Sequence, residues 1–167
     1  MKHAAALLAA FALAACASVP DAPTENQLTP SDLAVIAGTG WTGTLTYRDY
    51  SPPYGQVTIE AALAAAETAD GLMLSYIYPK EPQANSEGAF ALTEGGSLLD
   101  GAQITQLART DGLLTVTTEE ACEDDNKPAT CLLDYSFGPK VFTAAKRVRF
   151  SGSPETFQRN VYRFTRP

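Results

Sequence analysis

Short segments in which hydrophobic and polar residues alternate follow one another from Trp41 to the end of the chain. Examples are "WTGTLTYRDY", "LMLSYIYP" and "FQRNVYRFT", where a period of two places the apolar residues on one face of a β-strand. Asp-Gly and Gly-Gly pairs between such segments are typical of tight turns. The pattern predicts an all-β domain of about eight or nine antiparallel strands, forming an up-and-down barrel or, alternatively, a β-sandwich.

Two segments depart from simple alternation. In "TPSDLAVIAG", Thr29, Pro30 and Asp32 suit the N-cap, the first helical position and the N3 acceptor, and Gly38 suits a helix end, so one or two helical turns are predicted. The alanine run that ends at Ala66 is ambiguous because alanine favours helix. The alternation that precedes it favours a strand.

The N-terminus has the pattern of an export signal. "MKHAAALLAAFALAAC" has a basic start and an apolar run that is shorter than the about 20 residues needed to span a bilayer. Its last four residues, Leu13-Ala14-Ala15-Cys16, resemble the bacterial lipobox, which implies that residues 1–15 are a lipoprotein signal peptide and that Cys16 is acylated. The alternative is a plain secretory signal that leaves Cys16 as an ordinary thiol.

The residues after Cys16 predict a membrane-anchored domain in the envelope of a Gram-negative bacterium. Residues 16–28 are rich in Pro, Ala and polar residues without an apolar period, which is typical of a flexible tether. A single domain over residues 29–167 follows. Ala17 occupies the position where enteric lipoproteins kept in the inner membrane carry aspartate, so the resemblance implies the outer membrane, facing the periplasm, with the lipid bilayer as partner.

The two remaining cysteines, in "ACEDDNKPATC", can be a metal site, a redox switch or a disulfide staple. Since the periplasm is oxidising and the flanking segments alternate as strands, a disulfide between Cys122 and Cys131 across a hairpin is expected. If Cys122 lies directly opposite Cys131, Thr118 pairs with Tyr135, and the apolar and polar residues of the hairpin fall on separate faces. This register also sets Glu119 against Asp134, an unfavourable pair.

The composition argues against several function classes. The only histidine, His3, leaves with the signal peptide, so imidazole-dependent catalysis and the usual zinc sites are not expected, nor is any cofactor or metal. A weak calcium site at residues 123–126 remains an alternative, although the spacing is not that of an EF-hand loop. The net charge of −7 makes nucleic acid an improbable partner. We therefore expect a protein that is not an enzyme.

Basic residues are concentrated at the C-terminal end of the chain. Seven lie between Lys140 and Pro167, against one acidic residue, Glu155. Such a face can meet anionic headgroups or an acidic partner, or it can simply balance neighbouring acidic strands.

The short helix, the glycine-flanked tryptophan of "GTGW" and the arginines of the last strand together resemble the lipocalin and wider calycin pattern. This resemblance implies that Trp41 closes one end of the barrel, that a late arginine packs across it, and that the interior binds a small apolar or amphipathic molecule. The residues assigned to ligand binding are Trp41, Tyr47, Tyr76, Tyr135, Tyr162 and Arg149. "GTLTYRDYS", "NKPAT" and "RNVYRFT" also resemble an uncharacterised family of small secreted bacterial β proteins, which implies no particular activity.

Two functions remain open at this level. The first is a tethered binding module with a ligand inside the barrel. The second is an interaction protein, such as an envelope partner or a periplasmic inhibitor of an enzyme, that acts through its surface. A barrel of about eight strands is just wide enough to hold its own side chains or one ligand, so the filling of the interior distinguishes the two.

The anchor is tested by replacing Cys16. We expect Cys16→Ala to move the protein from the membrane fraction to the soluble fraction, because multiple acyl chains are needed for stable anchoring. Fractionation measures this, and mass spectrometry of the mature N-terminus should find acylated Cys16 in the wild type. A wild-type N-terminus that carries no acyl groups would contradict the assignment.

Overall fold

In the computed structural model, which describes residues 26–167, ten antiparallel strands form one closed barrel after a short α-helix. Helix α1 spans Pro30–Ala34. The strands are β1 Gly38–Asp49, β2 Gly55–Glu67, β3 Gly71–Ile77, β4 Ser86–Thr93, β5 Leu98–Leu99, β6 Ala102–Thr110, β7 Leu113–Asp124, β8 Lys127–Gly138, β9 Val141–Phe150 and β10 Phe157–Thr165. Each strand pairs with its neighbours in sequence, and β1 pairs with β10. The predicted up-and-down barrel is confirmed, and the sandwich is not formed.

The strand count exceeds the expectation because of β5. Two residues, Leu98 and Leu99, pair with β4 on one side and β6 on the other, and a strand this short shows no alternation in the sequence. The alanine run belongs to β2, with Ala61 and Ala65 buried, so the strand interpretation was correct.

Helix α1 begins as predicted and ends earlier than predicted. Thr29 and Asp32 form a reciprocal capping box, and Pro30 occupies the first turn. The helix ends at Ala34, and Gly38, with a φ of 106°, begins β1 instead of ending the helix. The helix lies across one end of the barrel, which we call the floor.

The floor is closed by Trp41 and Arg166. Trp41 is 1% exposed, and its indole Nε1 donates a hydrogen bond to the Ile36 carbonyl oxygen at 3.0 Å. The Arg166 guanidinium lies 4.2 Å from the centroid of the Trp41 ring and donates to the carbonyl oxygens of Val35 and Ala37 at 2.8 and 2.7 Å. The arrangement implied by the lipocalin resemblance is therefore present, with Arg166 as the arginine.

Aromatic side chains fill the lower half of the barrel above the floor. Phe90, Phe137, Phe142 and Phe164 are each at most 1% exposed, and their ring centroids lie 5.9–6.4 Å apart in contacting pairs. Gly43 permits β1 to approach β10, since a Cβ there would lie 1.8 Å from the Arg163 carbonyl oxygen. This half of the interior is a packed core.

The disulfide between Cys122 and Cys131 is present, but the predicted strand register is wrong by two residues. Cys131 lies opposite Glu120 and Cys122 opposite Ala129, so the disulfide is diagonal. The reason is the turn: Asp125 and Asn126 both adopt left-handed conformations, with φ of 49° and 57°, and form a two-residue hairpin turn that lets both strands extend past the cysteines.

A shift of two residues leaves the assignment of faces unchanged. Leu114, Val116, Tyr135 and Phe137 are buried inside the barrel, as predicted. The unfavourable pair of Glu119 with Asp134 is not formed, since Asp134 lies opposite Thr117 and accepts a hydrogen bond from its hydroxyl at 2.9 Å.

The packed region extends slightly further toward the N-terminus than the predicted domain start at residue 29. Leu28 is 2% exposed, and its backbone N–H donates to the Gly96 carbonyl oxygen at 3.0 Å. The predicted signal peptide, the lipobox residues with Cys16, and most of the tether lie outside the described residues. Within residues 26–167, no helix is long and apolar enough to cross a membrane.

Removing the disulfide should weaken the fold without abolishing it. For Cys122→Ala/Cys131→Ala we expect the free energy of unfolding to fall by about 2.5–3 kcal/mol, the chain-entropy value for a loop of this length. Urea denaturation of the double variant and of wild type measures the difference, with reduced wild type as a control. Equal stabilities, or two free thiols in protein taken directly from cells, would contradict a structural disulfide.

Candidate functional site

A cavity of about 160 Å³ lies inside the barrel above the aromatic layer. Because β5 has two residues, this side of the barrel wall ends at the β5–β6 turn, where Asp100 and Gly101 lie. The cavity is lined by Leu74, Tyr76, Ala89, Phe90, Asp100, Leu133, Tyr135, Ala144, Ala145, Lys146, Asn160 and Tyr162. It therefore combines apolar walls with a few polar groups, the composition that is typical of ligand sites.

Tyrosines form the layer between the aromatic core and the cavity. The hydroxyls of Tyr78 and Tyr162 share a hydrogen bond at 2.7 Å, and the ring centroids of Tyr76 and Tyr162 are 4.8 Å apart. Burial raises the pKa of Tyr76, Tyr135 and Tyr162 above the ordinary value, so these hydroxyls stay protonated. Those of Tyr76 and Tyr135 have no hydrogen-bond partner in the described part of the chain and can serve a bound molecule.

Asp100 contributes an acidic group at the lip of the cavity. The residue is exposed, but its carboxyl group lines the cavity and accepts a hydrogen bond from the Ala91 backbone N–H at 2.7 Å. Burial of the carboxyl group raises its pKa to about 6, opposed by the Ala91 hydrogen bond and assisted by the nearby charge of Glu120. Asp100 consequently changes charge at mildly acidic pH.

Lys146 and Asn160 lie side by side on another wall of the cavity. The register sets Asn160 on β10 directly opposite Lys146 on β9, and Leu133 on β8 lies on the other side of Lys146. Cβ atoms of such opposed pairs are about 4.5–5.5 Å apart. The two side chains therefore start from neighbouring points of the cavity wall, within reach of one bound group.

Three of the six residues assigned to ligand binding from the sequence are brought together here: Tyr76, Tyr135 and Tyr162. Tyr47 lies on the inner face next to Asn160 but outside the cavity lining, and Trp41 is part of the floor. Arg149 points away from the interior, where its guanidinium lies 3.5 Å from a Glu119 carboxylate oxygen.

Sequence reasoning missed Lys146, Asn160 and Asp100. Phe142, Ala144 and Val148 alternate in "VFTAAKRVRF", which placed Lys146 on the inner face and its neighbours Arg147 and Arg149 on the outer face. The same alternation was available in the sequence but was not used, and Arg149 was assigned to the ligand site instead of Lys146. Asp100 carried no signal, because β5 was not predicted.

The acidic hairpin that was considered for calcium binding has internal partners. Asp124 accepts hydrogen bonds from the Tyr50 hydroxyl and, at 3.1 Å, from Arg159 Nε, and Asp125 lies 2.9 Å from Lys127 Nζ. Among residues 26–167, no group of three or more His, Cys, Asp or Glu side chains is placed to hold a metal ion. Asp134 on the outer face pairs with Arg147 in the same way.

The raised pKa of Asp100 predicts a pH-dependent stability. The folded-state pKa of about 6 exceeds the unfolded value near 3.8, so the folded protein binds the proton more tightly than the unfolded chain. The contribution of Asp100 to the free energy of unfolding therefore falls as pH rises from about 4 to above 6. Asp100→Asn, which keeps the acceptor for Ala91, should therefore raise the free energy of unfolding at pH 7.5, by roughly 1 kcal/mol after allowing for solvent screening.

Urea denaturation at pH 7.5 and pH 4 measures this effect, and the gain should shrink toward pH 4. The matched control is Asp111→Asn. Asp100 and Asp111 both have left-handed backbones, with φ of 52° and 50°, but Asp111 lies in the turn at the floor end. A gain for Asp100→Asn that is independent of pH would contradict the assigned titration.

No protein-family model matches this chain, and a search of curated proteins finds no match either. The architecture is compatible with a lipocalin-like barrel, but a fold shared by many proteins does not specify what one of them binds. The functional argument therefore rests on the cavity and its side chains.

Proposed function

We propose that this protein is a lipid-anchored binding protein of the bacterial envelope, without enzymatic activity, that holds one small amphipathic molecule in the mouth of its barrel. The observation that supports the proposal is the tyrosine-lined cavity, with unpartnered hydroxyl, ammonium and amide groups around apolar walls. These groups form no hydrogen bond or ion pair within residues 26–167, so they are available to a bound molecule.

The size of the cavity limits the ligand. A cavity of about 150 Å³ is known to hold one benzene molecule, and the cavity here is about 160 Å³. The packed phenylalanine layer below it occupies the space that a long acyl chain would need. The proposed ligand is accordingly a single ring or a short chain with a polar group that reaches the open side at Asp100.

The anchor belongs to the same proposal. A lipobox that ends at Cys16 would tether the barrel to the bilayer, and the alanine after Cys16 favours the outer membrane, facing the periplasm. The protein would then hold a small molecule close to the membrane surface.

A second candidate is an interaction protein that acts through its rim. A groove of about 540 Å³ at the open end is lined by Arg48, Tyr50, Tyr54, Phe157 and neighbouring residues, and Tyr54 is 68% exposed. Aromatic side chains are enriched in protein interfaces, so this surface suits contact with an envelope protein or an enzyme. In this case small molecules would not enter the barrel.

The binding proposal is tested by filling the cavity. Benzyl alcohol and benzoate are titrated into the full chain carrying Cys16→Ala while NMR shifts are followed. We expect Ala144→Phe to weaken the binding of both probes at least tenfold, because the new ring would occupy the space between Tyr135 and Tyr162. Ala144→Leu, a smaller change, should give an intermediate loss.

The matched control is Ala66→Phe, which adds the same ring on an exposed position of β2 and should leave binding unchanged. Thermal unfolding confirms that each variant is folded. If neither probe binds the wild type, or if both bind Ala144→Phe as tightly as the wild type, the cavity is not the site and the rim becomes the better candidate.

A further inference from the structure

We propose that the ligand of the barrel carries an anionic group, a carboxylate on a ring or short chain, and that Lys146 and Asn160 bind this group. This inference rests on the proposed function, since it assigns the chemistry of the same cavity. The pair lies on the inner face of the barrel, whereas Arg149, the cation assigned to ligand binding from the sequence, lies on the outer face.

Lys146 has no partner inside the barrel. The residue lines the cavity, its place in β9 puts its side chain on the inner face with Phe142 and Ala144, and it forms no ion pair or hydrogen bond with any described residue. The outward-facing arginines of the same strand, Arg147 and Arg149, pair with Asp134 and Glu119. Lys146 therefore keeps a positive charge that no described acidic group pairs with, and a bound anion would supply the missing partner.

A second potential donor lies across the strands from Lys146. Asn160 lies directly opposite Lys146, and its side-chain amide also has no partner among the described residues. An ammonium and an amide N–H side by side can each donate to one oxygen of a carboxylate, and charge-assisted hydrogen bonds of this kind are the strong ones. Leu133, on the other side, offers no competing acceptor.

The acidic groups near the cavity lie on a different wall from Lys146 and Asn160. Asp100 comes from the β5–β6 turn and Glu120 from β7, whereas Lys146 and Asn160 come from β9 and β10. Asp100 already accepts the Ala91 N–H. The acidic and basic groups therefore belong to different walls, and the apolar part of a ligand would lie between them, against Tyr135 and Tyr162. An anion at Lys146 should still be weakened by the charge of Asp100.

The test compares three probes of equal size and different charge: benzoate, benzyl alcohol and benzylamine. NMR titrations of the full chain carrying Cys16→Ala should show benzoate binding tightest. Lys146→Met should weaken benzoate about tenfold, the loss expected for one charge-assisted hydrogen bond, and leave benzyl alcohol nearly unchanged. Lys146→Arg should restore most of the preference, and Asp100→Asn should strengthen benzoate.

The control is Lys140→Met, which removes the same charge from an exposed position in the β8–β9 turn and should leave the benzoate affinity unchanged. Thermal unfolding establishes that each variant is folded. If benzyl alcohol binds in the cavity but benzoate binds no better, or if Lys146→Met does not reduce the benzoate affinity, the anion assignment is wrong while the binding function stands. If none of the three probes binds, the binding function itself fails.

Discussion

The contact between Arg166 and Trp41 is the constraint on which the rest of the structure depends. Arg166 directly follows β10 and Trp41 lies near the start of β1, so their stacking joins the first and last strands of the barrel at the floor. The same guanidinium donates to carbonyl oxygens of the turn after α1 and to that of Pro139 at 2.7 Å. One cationic side chain thus satisfies a helix end, covers the tryptophan and holds the floor closed.

A closed floor explains why the interior is divided into two layers. Water cannot enter from below, so the lower half is filled by phenylalanines that need no hydrogen bonds. Polar groups increase toward the open end, first as paired tyrosine hydroxyls and then as Lys146, Asn160 and Asp100. The small cavity with polar groups at its edge lies where the two-residue strand β5 leaves the barrel wall short. This position makes the cavity accessible from the open end.

The sequence predicted features that depend on local pattern, and it missed features that depend on tertiary placement. Alternation predicted the barrel and the faces of β7 and β8, and the spacing of Thr29 and Asp32 predicted the capping box, because each depends on residues close in sequence. The hairpin register was wrong because the cysteines alone admit a direct or a diagonal bridge, and the left-handed pair Asp125–Asn126 decides between them. Arg149 was predicted to lie inside the barrel, although its position in the alternation of β9 puts it on the outer face. The site depends on how far each strand extends toward the open end of the barrel, and the sequence pattern did not predict these lengths.

The central claim, that a small molecule binds inside the mouth of this barrel, is tested most directly by locating a bound probe. Isotope-filtered NOE spectroscopy on labelled protein with unlabelled benzoate reports which protein protons lie close to the ring. The account predicts contacts from the benzoate ring to the Ala144 methyl group and to the rings of Tyr135 and Tyr162. Contacts confined to Tyr54 and Phe157 at the rim would contradict it, as would the absence of any contact within the barrel under saturating benzoate.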